Sequence, residues 1–204
     1  DLYSELVDRA TQLADEHLFP SALEVDASGT IPSAQLDLVR DAGFYGLFAP
    51  VEFGGLGASP ATQWAVHELL SGGCLTTSFV WAQHAGASKA AIETTGPMRQ
   101  RWADALATGE SRGGVAFAHL NRPGTPTLRA EPKDGGWEFS GSAPFVTGWG
   151  HIDVVLTAAR YKGSVVWAML DAQDCETISS RRLTLAAIDS AVTVELSFDQ
   201  HPVA

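Results

Sequence analysis

Two polar side chains with acid–base or hydrogen-bonding capacity, Gln83 and His84, stand side by side in one of the chain's most apolar stretches. Polar atoms among apolar neighbours need partners or a cavity, so the pair either serves interior hydrogen bonds or meets a bound molecule. The two cysteines, Cys74 and Cys175, are far apart and match no metal or redox spacing, which reads as two buried thiols in a reducing cytoplasm and no metal site. The charge is −11, from 13 Lys and Arg against 24 Asp and Glu. That balance excludes a nucleic-acid or anionic-membrane surface, because both need a basic footprint. An anionic ligand would require the few basic residues to be gathered in one place.

The elements that must position these groups change character near residue 112. Before it, apolar residues recur at helical spacing. Leu2, Leu6, Val7 and Leu13 form one stripe of a first helix that Pro20 is expected to end. Pro32-Ser33 opens a second helix carrying Leu36, Leu38 and Val39, and Gly43 is a candidate left-handed cap. Gly46 to Gly57 holds too many glycines for a helix and reads as a shaped loop. Ser59-Pro60 pairs an N-cap serine with a proline at the first helical position, opening a helix with Trp64, Leu69 and Leu70 on its apolar face. Gly72-Gly73 breaks it. Thr76 to Thr95 follows, a helix poor in charge on every side and therefore central, and Met98 to Ala107 closes the set.

From Gly113 the period becomes two. Val115–Ala118, Trp137–Ser140, Val154–Ala159, Val165–Leu170 and Val192–Phe198 are β-branched or aromatic runs separated by turn residues. The expected fold class is α+β: an all-α helical bundle over 1–112, then an all-β sandwich or barrel-like domain over 113–204. No apolar run reaches the ~18 residues of a membrane span, and the first fifteen residues lack a basic n-region, so the expected location is cytoplasmic.

Several short motifs, in order, carry a resemblance. Pro50-Val51-Glu52-Phe53-Gly54-Gly55-Leu56-Gly57 follows the second helix. Trp102 to Glu110 ends in Ala-x-Gly-Glu. After the first strand come Arg129-Ala130-Glu131, Gly135 to Gly141 and Phe145-Val146-Thr147-Gly148. This series resembles the acyl-CoA dehydrogenase family over essentially the whole chain, covering its N-terminal helical domain and most of its middle β-domain.

The resemblance implies an FAD enzyme that oxidises an acyl-CoA thioester between Cα and Cβ, as a homo- or hetero-oligomer with an electron acceptor that the sequence does not identify. Phe145 matches the aromatic beside the flavin ring, Val146 its neighbour, and Thr147 the threonine that bonds the flavin near N5. A hydroxyl suits that place because it can donate or accept as the flavin changes state. Ala118 and His119 fall where the family carries a Thr-Glu-Pro. His119 is either a donor toward the flavin's pyrimidine edge or a satisfied structural histidine. The family's following Ser-Asp, which contacts the pyrophosphate, is absent from Leu120 to Thr125. Arg122 either offsets an anionic cofactor or is solvated. Phe79 and Gln83 fall near the family's acyl-pocket helix.

The family's catalytic glutamate belongs to a C-terminal helical domain that this sequence, ending at Ala204, does not include, so no catalytic base is assigned here. The chain is expected to be part of a longer enzyme. Two other readings stay open: a two-component flavin monooxygenase of the same fold, and a non-catalytic subunit.

Overall fold

The computed structural model describes residues 1–203. Among the described residues, six α-helices precede seven strands. The helices are α1 (Leu2–Leu13), α2 (Phe19–Ala27), α3 (Ser33–Asp41), α4 (Pro60–Gly73), α5 (Leu75–Glu93) and α6 (Pro97–Thr108). The strands are β1 (Gly113–Ala116), β2 (Leu128–Lys133), β3 (Gly136–Val146), β4 (Val154–Tyr161), β5 (Ser164–Asp171), β6 (Ile178–Arg182) and β7 (Val194–Val203).

Pro20 does not end the first helix. A π-helical turn over Ala14–Leu18 joins α1 to α2, with Phe19 N–H bonded five residues back to Ala14 O. Proline lacks an N–H and crowds the preceding turn. The wider turn restarts the hydrogen-bond pattern, so Pro20 falls in the first turn of α2, where its missing donor costs nothing. Leu6 and Leu13 are buried as expected, while Leu2 is exposed. The caps follow the sequence more closely. Gly43 takes φ +80° after α3, and Ser59 Oγ accepts the Thr62 N–H at 3.2 Å before α4. The expected apolar face of α4 needs one correction: Trp64 is exposed, and Val66 and Leu70 make the buried face.

The 46–57 loop is two short 3₁₀ turns folded against one another. Leu56 N–H bonds Gly46 O and Gly57 N–H bonds Ala49 O, so the loop closes on itself. Gly55 is there for space, because a Cβ would lie on the Ala49 carbonyl.

The strands form one mixed sheet in the order β1-β4-β2-β3-β7-β6, with β5 paired along the other edge of β4. The sheet is not built of hairpins alone, because β1 runs parallel to β4, Gly113 opposite Val154. The first strand also begins two residues earlier than its pattern suggested. Gly113 and Gly114 belong to it, since a Cβ on either would press on Ala87 or Ile152. β4 is buried on both faces, which is why its sequence reads as a continuous apolar run. Val155 and Ala159 join Phe139, Leu196 and Phe198 in the β-core, while Val154 and Leu156 pack with Ala87, Ala91 and Leu106 of α5 and α6.

A second tie between helices and sheet is the segment before β7. Ala191 is part of the helical core. Ser190 Oγ donates to Asp26 O at 2.6 Å, Ile31 N–H bonds Ser190 O, and Gly148 N–H bonds Ala191 O.

Candidate functional site

Helix α5 supplies the polar pair, and the structure separates its members. His84 is fully buried: Gly113 donates its N–H to His84 Nδ1 at 3.0 Å, and Nε2 lies 2.8 Å from Leu106 O. One ring nitrogen must accept and the other donate, which selects the neutral Nε2–H tautomer. Burial pushes its pKa down to about 4, with the Leu106 bond opposing and the Arg112 charge adding to the fall. His84 is therefore an interior bracket between α5, α6 and β1. Gln83 Nε2 donates to Phe79 O at 3.1 Å, one helical turn back. Phe79 is 37% exposed, so its ring is free to meet another molecule. Phe79, Gln83 and Gly86 share one face of the helix by their spacing.

The segment that follows β3 meets the same helix. Gly148 sits on Val80, where a Cβ would be 3.0 Å from Cγ1. Just before it the β3–β7 register slips between Ala143 and Val146, and Phe145 adopts φ +61° with its ring 45% exposed. A bulky residue with positive φ is an outlier that costs of order 1–2 kcal/mol. Val146 is buried opposite Val194. Thr147 is buried too, its hydroxyl 3.0 Å from that of Thr193. Either threonine can be the donor of that bond, so the Thr147 hydroxyl can donate or accept within the pair.

The end of β1 completes the surface. Val115 and Phe117 pack on Gly86 of α5, and Phe117 meets Trp167 edge-on at 5.5 Å. Beyond them Ala118 is exposed and opens a short 3₁₀ turn, Ala118–Asn121. His119 turns inward. It is buried, with Nε2 2.9 Å from Ala158 O, and burial lowers its pKa despite that bond, with Arg160 and Arg122 lowering it further. A neutral ring donating from Nε2 to Ala158 holds the turn to β4. Its Nε2 is satisfied as in the structural reading, while its Nδ1 is buried without a partner among the described residues. The structure thus sets the segment after β3 against α5 through Gly148 and Val80, and turns His119 inward. No group of three or more potential metal ligands occurs among the described residues.

Comparison with known proteins gives the same outline. A family model described as acyl-CoA dehydrogenase, N-terminal domain, matches residues 2–110. A 3-sulfinopropanoyl-CoA desulfinase of Variovorax paradoxus is 28% identical over 167 residues, covering 78% of this chain and 42% of its own. Butyryl-CoA dehydrogenase from Megasphaera elsdenii superposes with a TM-score of 0.87 at 19% identity, over 100% of this chain and 57% of its own. A glutaryl-CoA dehydrogenase from Mycobacterium smegmatis, in complex with FADH2, does so with a TM-score of 0.87 at 17% identity, over 98% and 53%. The chain therefore spans roughly half the length of such proteins.

Proposed function

The chain belongs to the acyl-CoA dehydrogenase family, and on that premise we propose that it supplies the helical domain (1–112) and β-domain (113–204) of an FAD-dependent enzyme oxidising an acyl-CoA thioester between Cα and Cβ. The observation that carries this reading is the end of β3: an exposed aromatic at φ +61°, two residues from a buried, switchable hydroxyl, with the Gly148 that follows set against Val80 of α5.

These residues fit the ring half of a flavin. Phe145 offers an aromatic edge held outward by its own backbone. Val146 anchors the segment in the β-core, and Thr147 offers a hydroxyl whose donor sense Thr193 can reverse. FAD, when bound, supplies the hydride acceptor. Phe79 and Gln83 on α5 would border the acyl chain and keep water from the reacting carbons. The turn after β1 fits the phosphate half poorly, since it presents the methyl of Ala118 and an inward His119. The base that removes the α-proton is not assigned to any residue of this chain, and the working form is proposed to be an oligomer.

The test is anaerobic addition of short-, medium- and long-chain acyl-CoA thioesters to the purified flavin-loaded enzyme. Loss of the oxidised flavin's long-wavelength absorption with one of them is expected. Persistence with all of them rejects the dehydrogenase reading. The weak provision after β1 favours one second reading, a two-component flavin monooxygenase. That enzyme would bind reduced flavin more tightly than oxidised flavin and consume oxygen with it.

A further inference from the structure

The turn that follows Thr147 is held on two sides. Its backbone is bonded to the segment before β7: Gly148 N–H meets Ala191 O, Trp149 N–H meets Val192 O, and His151 N–H closes the turn on Gly148 O. The side chain of His151 carries the turn to the helical domain. Its Nε2 lies 3.1 Å from Thr30 Oγ1 and its Nδ1 3.5 Å from Ser33 Oγ, in the connection from α2 to α3 and at the first residue of α3. Two other β-domain side chains reach the same region, Arg182 to Gly29 O at 2.6 Å and Ser190 Oγ to Asp26 O. A guanidinium stays charged and a serine stays neutral near pH 7, so of the three contacts only the histidine can change state there.

A neutral imidazole has one donor and one acceptor, and each hydroxyl can supply the opposite, so both ends of the ring are satisfied. Protonation makes both nitrogens donors and adds a charge to a half-buried ring. Burial, and then the charge of Arg112, hold the pKa of His151 below its ordinary 6.5. The charged groups nearby do not offset this. Arg112 is paired with Asp37 of α3 and gives its N–H to Asp153, and Arg182 is paired with Asp189. No carboxylate bonds the ring among the described residues. The sign follows: the contact is complete above pH 6.5 and is lost as the pH falls below it, through the lowered folded value.

We propose that His151 is a pH-sensitive positioning residue: neutral, it pins the turn after Thr147 to the α2–α3 connection, and protonated, it lets that turn go. The turn sets the segment Phe145 to Thr147, so its release loosens the surface assigned above to the flavin ring. That consequence rests on the flavin reading; the latch itself does not.

The experiment is amide hydrogen exchange, corrected for the intrinsic effect of pH, from about pH 7.5 down to about 5.5. The amides of Ile31, Gly148 and Trp149 report the latch. Those of Val155 and Leu156, in a strand paired on both sides, report global opening, which His84 also moves. In the wild type, protection at the latch amides should fall about fivefold or more relative to β4 as the pH drops. His151→Gln keeps a donor and an acceptor without titrating, and should hold the ratio constant. Thr30→Val removes the hydroxyl on the other side, and should show the low-pH ratio throughout. A ratio that stays constant in the wild type, or changes equally in all three proteins, overturns the proposal. Flavin titrations at the two ends of the range separate the two readings. Affinity that falls with the ratio in the wild type, and not in His151→Gln, joins the latch to the ring surface. Unchanged affinity beside a working latch removes the flavin from this segment and leaves the latch standing.

Discussion

Gly113 donates its backbone N–H to His84 Nδ1, and this single bond determines which ring nitrogen of a buried histidine carries the proton. The other nitrogen then meets Leu106 O, so one imidazole joins α5, the end of α6 and the first residue of the sheet.

That arrangement makes stability depend on pH. The folded-state pKa of His84, about 4, lies below its ordinary 6.5, so the unfolded chain binds this proton more readily. The contribution is fully present above pH 6.5, falls as pH drops from 6.5 toward about 4, and levels off below. The loss is on the order of 3 kcal/mol across that window. Urea midpoints measured through it should show this slope in the wild type and a flatter one in His84→Asn. Equal slopes would remove His84 from the account.

Gly55→Ala should destabilise the protein by about 3 kcal/mol or more, because the added methyl would lie on the Ala49 carbonyl inside a loop that has no room to widen. Gly72→Ala, where nothing stands within 4 Å of the new atom, is the control and should leave the melting temperature unchanged or raised.

Phe145 separates stability from binding. Phe145→Gly relieves the positive φ, whereas Phe145→Ala keeps it, so the glycine variant should be more stable than the alanine variant by about 1 kcal/mol. Both variants should bind flavin more weakly than the wild type. Flavin fluorescence titrations beside denaturation curves check both halves, and unaltered flavin affinity in the pair would take Phe145 out of the site.

Thr193→Val should leave the Thr147 hydroxyl buried without its partner, at a cost of about 1–2 kcal/mol. On the proposed reading it should also shift the flavin spectrum, as should Thr147→Val, while Thr147→Ser keeps the hydroxyl and should restore the wild-type spectrum. A spectrum indifferent to all three would limit the threonine pair to a structural bond.

Much of the helical half was legible because its signals are local. A serine before a proline starts α4, a glycine at positive φ follows α3, and an all-apolar segment becomes the central α5. The misread points are those where distant packing decides. Pro20 looked like a stop because a π turn cannot be seen in periodicity. Trp64 looked like core, yet its side of α4 faces solvent. Strand β6 passed unseen because Ile178–Arg182 is mostly polar, the composition of an edge that pairs on one side only. In the site, Phe145 and Thr147 were marked by their motif and Phe79 by its helix. Arg122 was marked beside an anionic cofactor, but its gathering with Arg129 and Arg160 was not, since the three become neighbours only when separate strands come together.

The segment around Ser190 has a consequence for synthesis. The helical core includes Ala191, and the backbone of Asp26 and Ile31 is completed by Ser190, more than 150 residues later in the chain. A ribosome that has released only the six helices has therefore released a bundle with a vacancy in its core and polar backbone groups still waiting. The first half to emerge has to be held loosely, by its own collapse or by a chaperone, until the approach to the last strand leaves the exit tunnel and seals it.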